Sequence, residues 1–266
     1  MSSMAERNKS TKALILSVKE MGESNRTVQV LSESLGMFRA TLYGGPKSKL
    51  RSLVQPFNTG TLWLYEDESR QSRKITDFDV SDCHNSLHES LPKIWAANLA
   101  AELLLRTHCA GDDHNAYILL KALVDGMDRS SEDEARTGLL RFLWRYLGLL
   151  GVQPDTESCA GCGTRLAGIQ GMQQIAASCI PAENGFVCPD CRGSRQGEGE
   201  AQVFRYELSG EGLFYLTALN TLQPGVVRAI RLSAQTIWQL KQLLFTLAEQ
   251  AAGCKLKTLE SGMGIL

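Results

Sequence analysis

Apolar positions along this chain keep two rhythms, and the change falls near residue 81. Before it, they come in short runs bounded by turn signals. The segments 13–18, 27–31, 38–43, 53–57, 61–65 and 73–80 each read as a strand, and 38–43 alternates apolar with polar. Turns fall at Gly22-Glu23-Ser24-Asn25, at Gly36 and at Gly44-Gly45-Pro46. Strands this short and this closely spaced suggest a small barrel or sandwich. Pro56 lies inside an apparent strand, which predicts a bulge or an edge there.

After residue 81 the spacing becomes helical. Ile94, Leu99, Leu103 and Leu104 form one stripe in 92–109, with Pro92 near its start, where a missing N–H costs nothing. Asp112-Asp113 can cap a helix over 116–127, and Ser131 to Glu134 has capping-box spacing ahead of a helix ending near Gly148 or Gly151. Two more helices are predicted over 211–222 and 233–251. The Gly-, Ser- and charge-rich segment 193–200 reads as a flexible loop.

Composition narrows the class. At 266 residues, with 43% hydrophobic residues, the chain can bury a sizeable core in two units or in one with an insertion. Its first nine residues are polar, without a signal-peptide h-region, and no run approaches the ~18 apolar residues of a membrane span. A reducing, cytoplasmic setting follows as the expectation.

The most specific chemical signal is Cys159-Ala-Gly-Cys162 followed by Cys188-Pro-Asp-Cys191. Paired Cys-x-x-Cys motifs can supply four thiolates to a tetrahedral zinc ion. Such a site is closed, which makes the metal structural. The other cysteines, Cys83, Cys109, Cys179 and Cys254, are expected to be buried small hydrophobes. The four histidines, His84, His88, His108 and His114, are expected at the surface or at helix ends. No phosphate loop, dinucleotide fingerprint or nucleophile elbow is present. The acidic run Glu66-Asp67-Glu68 reads as a solvated hairpin tip.

Net charge is −1, so any nucleic-acid surface must be local. Between residues 9 and 51 the balance is positive: Lys9, Lys12, Lys19, Arg26, Arg39, Lys47, Lys49 and Arg51 face only Glu20, Glu23 and Glu33. Positive charge gathered on a small barrel suits phosphates, and Phe38 and Tyr43 lie near enough in sequence for base stacking. Phe38, Trp63 and Tyr65 equally suit a core.

The order of the motifs adds to this. Ala13-Leu14-Ile15-Leu16, Gly22-Glu23-Ser24-Asn25-Arg26, Gly36-Met37-Phe38-Arg39-Ala40, Gly44 to Leu50 and Leu53-Val54-Gln55-Pro56-Phe57 together resemble the N-terminal domain of the RecO family of bacterial recombination mediators. Arg141 to Gly151 and the two cysteine pairs resemble its later helix and zinc module. The resemblance implies an α+β multidomain protein. A five-stranded OB-fold β-barrel over 1–80 precedes an α-helical domain over 81–266, with a four-cysteine zinc module inserted at about 155–195. It further implies a non-enzymatic, cytoplasmic, nucleoid-associated mediator. Such proteins bind single- and double-stranded DNA, anneal complementary strands, and work with RecR to load the RecA recombinase onto DNA coated by single-strand-binding protein (SSB). On this reading Cys159, Cys162, Cys188 and Cys191 hold structural Zn2+, and Arg26, Arg39, Lys47, Lys49 and Arg51 neutralise DNA phosphates. Arg141 and Arg145, one turn apart on a helix, are candidates for the acidic C-terminal tail of SSB. A zinc-ribbon scaffold or adaptor without annealing activity is the alternative from another class.

Overall fold

The computed structural model describes residues 7–262, 264 and 265, apart from 46, 68, 167–173, 182–184 and 195–205. The chain divides into two compact units, Met1–Arg136 with Gly262–Leu266, and Thr137–Ser261.

The first unit begins with β1 (Asn8–Met21), β2 (Asn25–Ser32), β3 (Gly36–Leu42), the short helix α1 (Lys49–Leu53), β4 (Thr59–Asp67) and β5 (Ser72–Asp82). These strands close into a barrel in the order β1-β2-β3-β5-β4, which is the OB arrangement. Closure depends on the length of β1. Residues 8–14 pair with β4 and residues 13–21 with β2, and a bulge between Ile15 and Ser17 bends the strand between its two partners. At Gly60 the β4 backbone passes so close to the Asp79 carbonyl of β5 that no Cβ fits. The interior holds Ala13, Ile15, Val28, Val30, Phe38, Leu62, Leu64, Ile75 and Phe78. Each large side chain there contributes about 1.5–3 kcal/mol by leaving water.

One expected strand is absent. Residues 53–57 form the end of α1 and a turn, with Val54 buried in the barrel core and Leu50 and Leu53 packed against it. Phe57 sits at φ 67° and donates its N–H to the Ile15 carbonyl at 2.7 Å. Pro56 therefore occupies a turn and marks neither a bulge nor an edge. A short apolar run has the same pattern whether it lies in a strand or folds irregularly onto a core.

Four helices follow: α2 (Asn85–Glu89), α3 (Leu91–Thr107), α4 (Asp113–Asp128) and α5 (Glu132–Leu149), whose first turn belongs to this unit. The caps are the expected ones. Asp112 accepts from the Asn115 N–H at 3.1 Å, and the Ser131 hydroxyl accepts from the Glu134 N–H at 3.3 Å. Within the unit α4 packs on β2 and β3.

The second unit continues with β6 (Ile175–Ile180), β7 (Gly185–Val187), α6 (Pro189–Ser194), β8 (Tyr206–Ser209), α7 (Gly210–Thr221), α8 (Pro224–Ala229), α9 (Ala234–Ala252) and α10 (Lys257–Ser261). Its three strands form an antiparallel sheet in the order β7-β6-β8, which periodicity missed because each strand is only 3 to 6 residues long. Trp144 and Tyr215 are fully buried, and the Trp144 indole N–H donates to Asn220 Oδ1 at 2.9 Å. Glu211, in the first turn of α7, accepts from the Ser233 N–H and hydroxyl and from the Thr236 hydroxyl, so it secures the N-terminus of α9. Of the loop expected at 193–200, Gly193 and Ser194 end α6, and 195–200 lie outside the described residues.

Candidate nucleic-acid interface and metal centre

Alternation along β3 sends Phe38, Ala40 and Leu42 into the core and leaves Arg39 exposed. Tyr43, just past the strand, is also exposed. From there the chain turns at Gly44, where φ is +127° and an added Cβ would lie 3.0 Å from Ser48. Lys47 and Lys49 follow in that turn and are both exposed. Neither lysine, nor Arg39, has a carboxylate within ion-pair distance among the described residues.

The other two expected phosphate ligands are placed differently. Arg51 pairs with Glu20 at 3.4 Å, and its side chain is only 17% exposed. Arg26, which faces Glu20 across the β1–β2 ladder, is half-buried, with an Nε that has no hydrogen-bond partner among the described residues. The surplus of residues 9–51, 8 − 3 = +5, is partly met from outside the segment, since Lys9 is paired with Glu66 at 2.5 Å. Glu66 corrects the expected solvated tip: its side chain is 13% exposed between Lys9 and Arg73. Hydrogen bonds from those two residues hold its carboxyl below the usual range, against the opposing effect of burial.

Sequence reasoning missed two cations. Register sets Thr41 of β3 beside Lys74 of β5, and the Lys74 ammonium lies 5.3 Å from the centre of the Tyr43 ring. The Arg73 guanidinium covers the buried Phe38 ring at 4.6 Å. Only barrel closure brings β5 against β3, so no local signal marks either residue.

The four cysteines converge in the second unit. Residues 158–165 fold back on themselves, with Ser158 bridging Arg165, and present Cys159 and Cys162. β7 leads directly into Cys188, and α6 carries Cys191. All four sulfur atoms lie within 4.8 Å of one another, and Cys162 Sγ is 3.8 Å from Cys188 Sγ. A tetrahedral ion with metal–sulfur bonds of about 2.3 Å sets its sulfurs about 3.8 Å apart. Backbone N–H groups of Gly161 and Cys188 point at Cys159 Sγ, at 3.3 and 3.2 Å. Burial pushes the Cys159 thiol up, but these donors prevail and hold it near 6. Cys191 shows the opposite effect: the neighbouring Cys162 and Cys188 sulfurs push it up to about 12. Thiolates this close repel one another unless a cation lies between them. The four residues therefore fit a metal ion, which would supply charge neutralisation and a cross-link.

Cys179 lies apart, fully buried in β6, with its thiol pushed up to about 12 by desolvation, and Cys109 reaches a similar value for the same first reason. Both behave as buried small hydrophobes. Cys83 and Cys254 do not, since both are exposed.

Arg141 and Arg145 lie on α5 within the second unit. Arg141 donates to the Tyr215 hydroxyl at 3.3 Å. Burial and the charges of Arg141 and Arg228 hold Arg145 below its ordinary value. Three guanidinium groups thus share this part of the unit, and none of them has a carboxylate within ion-pair distance among the described residues.

Fold and site together define a class: an OB-barrel protein continued by a helical unit with four cysteines clustered as metal ligands would be. The chain belongs to the recombination protein O (RecO) family, matching the family's N-terminal domain over residues 4–84 and its C-terminal domain over residues 88–260. It is 26% identical to the DNA repair protein RecO of Moorella thermoacetica over 233 residues, covering 87% of this chain and 81% of the relative. The corresponding protein of Desulforamulus reducens is 24% identical, over 93% and 91% of the two chains. That of Solidesulfovibrio magneticus is 28% identical, over 79% and 80%.

Proposed function

We propose that this chain is a non-enzymatic mediator of DNA repair and recombination. It binds single- and double-stranded DNA through the barrel, anneals complementary strands, and acts with RecR to load a RecA-type recombinase onto SSB-coated DNA. The observation that carries this reading is the group of uncompensated cations on an OB barrel, Arg39, Lys47 and Lys49, in a chain of net charge −1. Ammonium and guanidinium groups neutralise phosphates without reading bases, so binding is independent of sequence and sensitive to salt. Annealing follows from the same chemistry, because two phosphate backbones repel each other until a basic surface screens them. Arg26 and Arg51 act as supports at the same end of the barrel.

The four cysteines hold a structural Zn2+, the ion their all-sulfur donor set suits best. Arg141 and Arg145, with Arg228 nearby, form the anion-binding part of the site for the acidic tail of SSB. Such a mediator works in the cytoplasm, associated with the nucleoid.

The test is strand annealing and DNA affinity across a salt series, for the parent chain and for Lys47→Ala/Lys49→Ala. The double variant should bind DNA more weakly, with a salt slope lower by roughly 0.7 to 0.9 per lost contact. Unchanged affinity and slope would make these lysines ordinary solvated residues. Retained DNA binding without annealing would instead favour a binding adaptor.

A further inference from the structure

We propose that the exposed ring of Tyr43 is a stacking platform for an unpaired nucleobase, backed by Lys74 and followed along the chain by the exposed Lys47 and Lys49. This end of the barrel then takes a single strand by its bases as well as by its charge. The inference rests on the reading of the barrel as DNA-binding and names the ligand chemistry of that same surface.

Four observations carry it. Tyr43 follows β3 in the outward register of Arg39 and Thr41, and 52% of it is exposed. Its hydroxyl has no hydrogen bond among the described residues, so neither core packing nor a polar contact accounts for the ring. The Lys74 ammonium lies 5.3 Å from the ring centre, and a cation held against an aromatic ring orients it while adding charge where a phosphate would run. The chain turns just after the ring, with the Ser48 N–H donating to the Gly45 carbonyl at 3.0 Å, and Lys47 and Lys49 in that turn are both exposed.

The other barrel aromatics are unsuited. Phe38 is buried beneath Arg73. The Tyr65 hydroxyl is engaged by Arg7 at 3.3 Å. Trp63 is exposed, but it lies opposite Asp77, and its neighbour Thr61 lies opposite Asp79. Those carboxylates repel a phosphate backbone. Tyr43 alone among these rings combines an open surface with positive surroundings. A base can stack there only when it is unpaired, so the site favours single strands and releases the base once a duplex forms.

The experiment compares a base-bearing oligonucleotide with an abasic strand of equal length and charge, using the full chain. The parent chain should bind the base-bearing strand at least about fivefold more tightly, the lower end for one stacked base. Tyr43→Ala should erase that preference while leaving the abasic affinity and the salt slope unchanged. Tyr43→Phe should keep it, and Trp63→Ala should not affect it. Tyr43→Leu, which keeps bulk without a π face, serves if the alanine variant folds poorly. If Tyr43→Leu retained the full preference, or if the parent chain bound both strands equally, stacking would be overturned and phosphate binding would stand. Binding to neither strand would remove both.

Discussion

At the scale of single residues, His84 shows how tertiary surroundings set a charge. It caps α2 in the left-handed region, at φ 45°, and its side chain is fully buried. Nδ1 lies 2.8 Å from the Phe57 carbonyl, and Nε2 lies 2.8 Å from Asp125 Oδ1. Both partners accept, and a neutral ring can donate to only one of them, so the pair of contacts favours the imidazolium form. Burial alone would lower its pKa, but the Asp125 hydrogen bond, the Asp82 carboxylate at 4.0 Å and the Phe57 carbonyl together raise it. Asp125 is subject to the same balance: burial pushes it up, while His84 and Lys121 hold it down. A histidine raised above its ordinary value of about 6.5 contributes stability that is full below that pH. The contribution is lost as pH rises through the folded value. The first unit should therefore weaken in urea melts as pH rises above about 6.5, and His84→Gln should remove most of that slope. The substitution should also cost about 1.5–3 kcal/mol at pH 6, through lost hydrogen bonds to charged groups. A histidine at a helix end was legible in the sequence. Its burial was not, because its partners lie 27 and 41 positions away.

At the scale of elements, two backbone features fix the units from within. In β4, Gly60 lets the strand meet the Asp79 carbonyl, and the bulge beside it shifts the ladder with β5 between Thr59 and Gly60. Gly60→Val should cost about 1–3 kcal/mol in a denaturant melt, because the backbone must move apart. In the second unit the loop at 158–165 and the β7–α6 turn are short, and a metal held by the four cysteines would cross-link them. Cys162→Ser should lower the melting temperature of that unit by roughly 10 °C, the equivalent of about 3 kcal/mol, and should release metal. A melting curve identical to that of the parent chain would contradict a structural role for the ion. The cysteine pairs were legible because each ligand pair is local in sequence. The strands around them were not, since runs this short lack a period.

At the scale of the whole molecule, charge is distributed rather than abundant. Net charge is −1, yet Arg39, Lys47 and Lys49 have no ion pair among the described residues, while Glu20 and Glu66 are drawn into ion pairs. Raising ionic strength should therefore weaken DNA binding steeply with little loss of stability, because exposed pairs such as Arg136–Asp133 contribute about 0–1 kcal/mol. Addition of Arg51→Ala to the Lys47→Ala/Lys49→Ala variant should change the salt slope less than either lysine does, since Arg51 is already paired with Glu20. In the second unit, Arg141→Ala and Arg145→Ala should each weaken binding of a labelled acidic, apolar-ended peptide in a fluorescence titration. Unchanged affinity would exclude them from that role. No helix among the described residues is long and apolar enough to cross a membrane.

The sequence by itself determined the two rhythms, the strands of the barrel except the irregular 53–57 segment, the long helices with their caps, and the four cysteines that cluster. All of these depend on neighbours a few residues apart, where spacing and side-chain type carry the information. Tertiary structure alone decided which cations form ion pairs, which aromatic ring faces solvent, and that a buried histidine favours its charged form. Arg51 meets Glu20, Lys74 meets Tyr43, and His84 meets Asp125 only after the barrel closes and the helices pack on it. Each of those meetings joins residues 31 or 41 positions apart, beyond the reach of any local pattern.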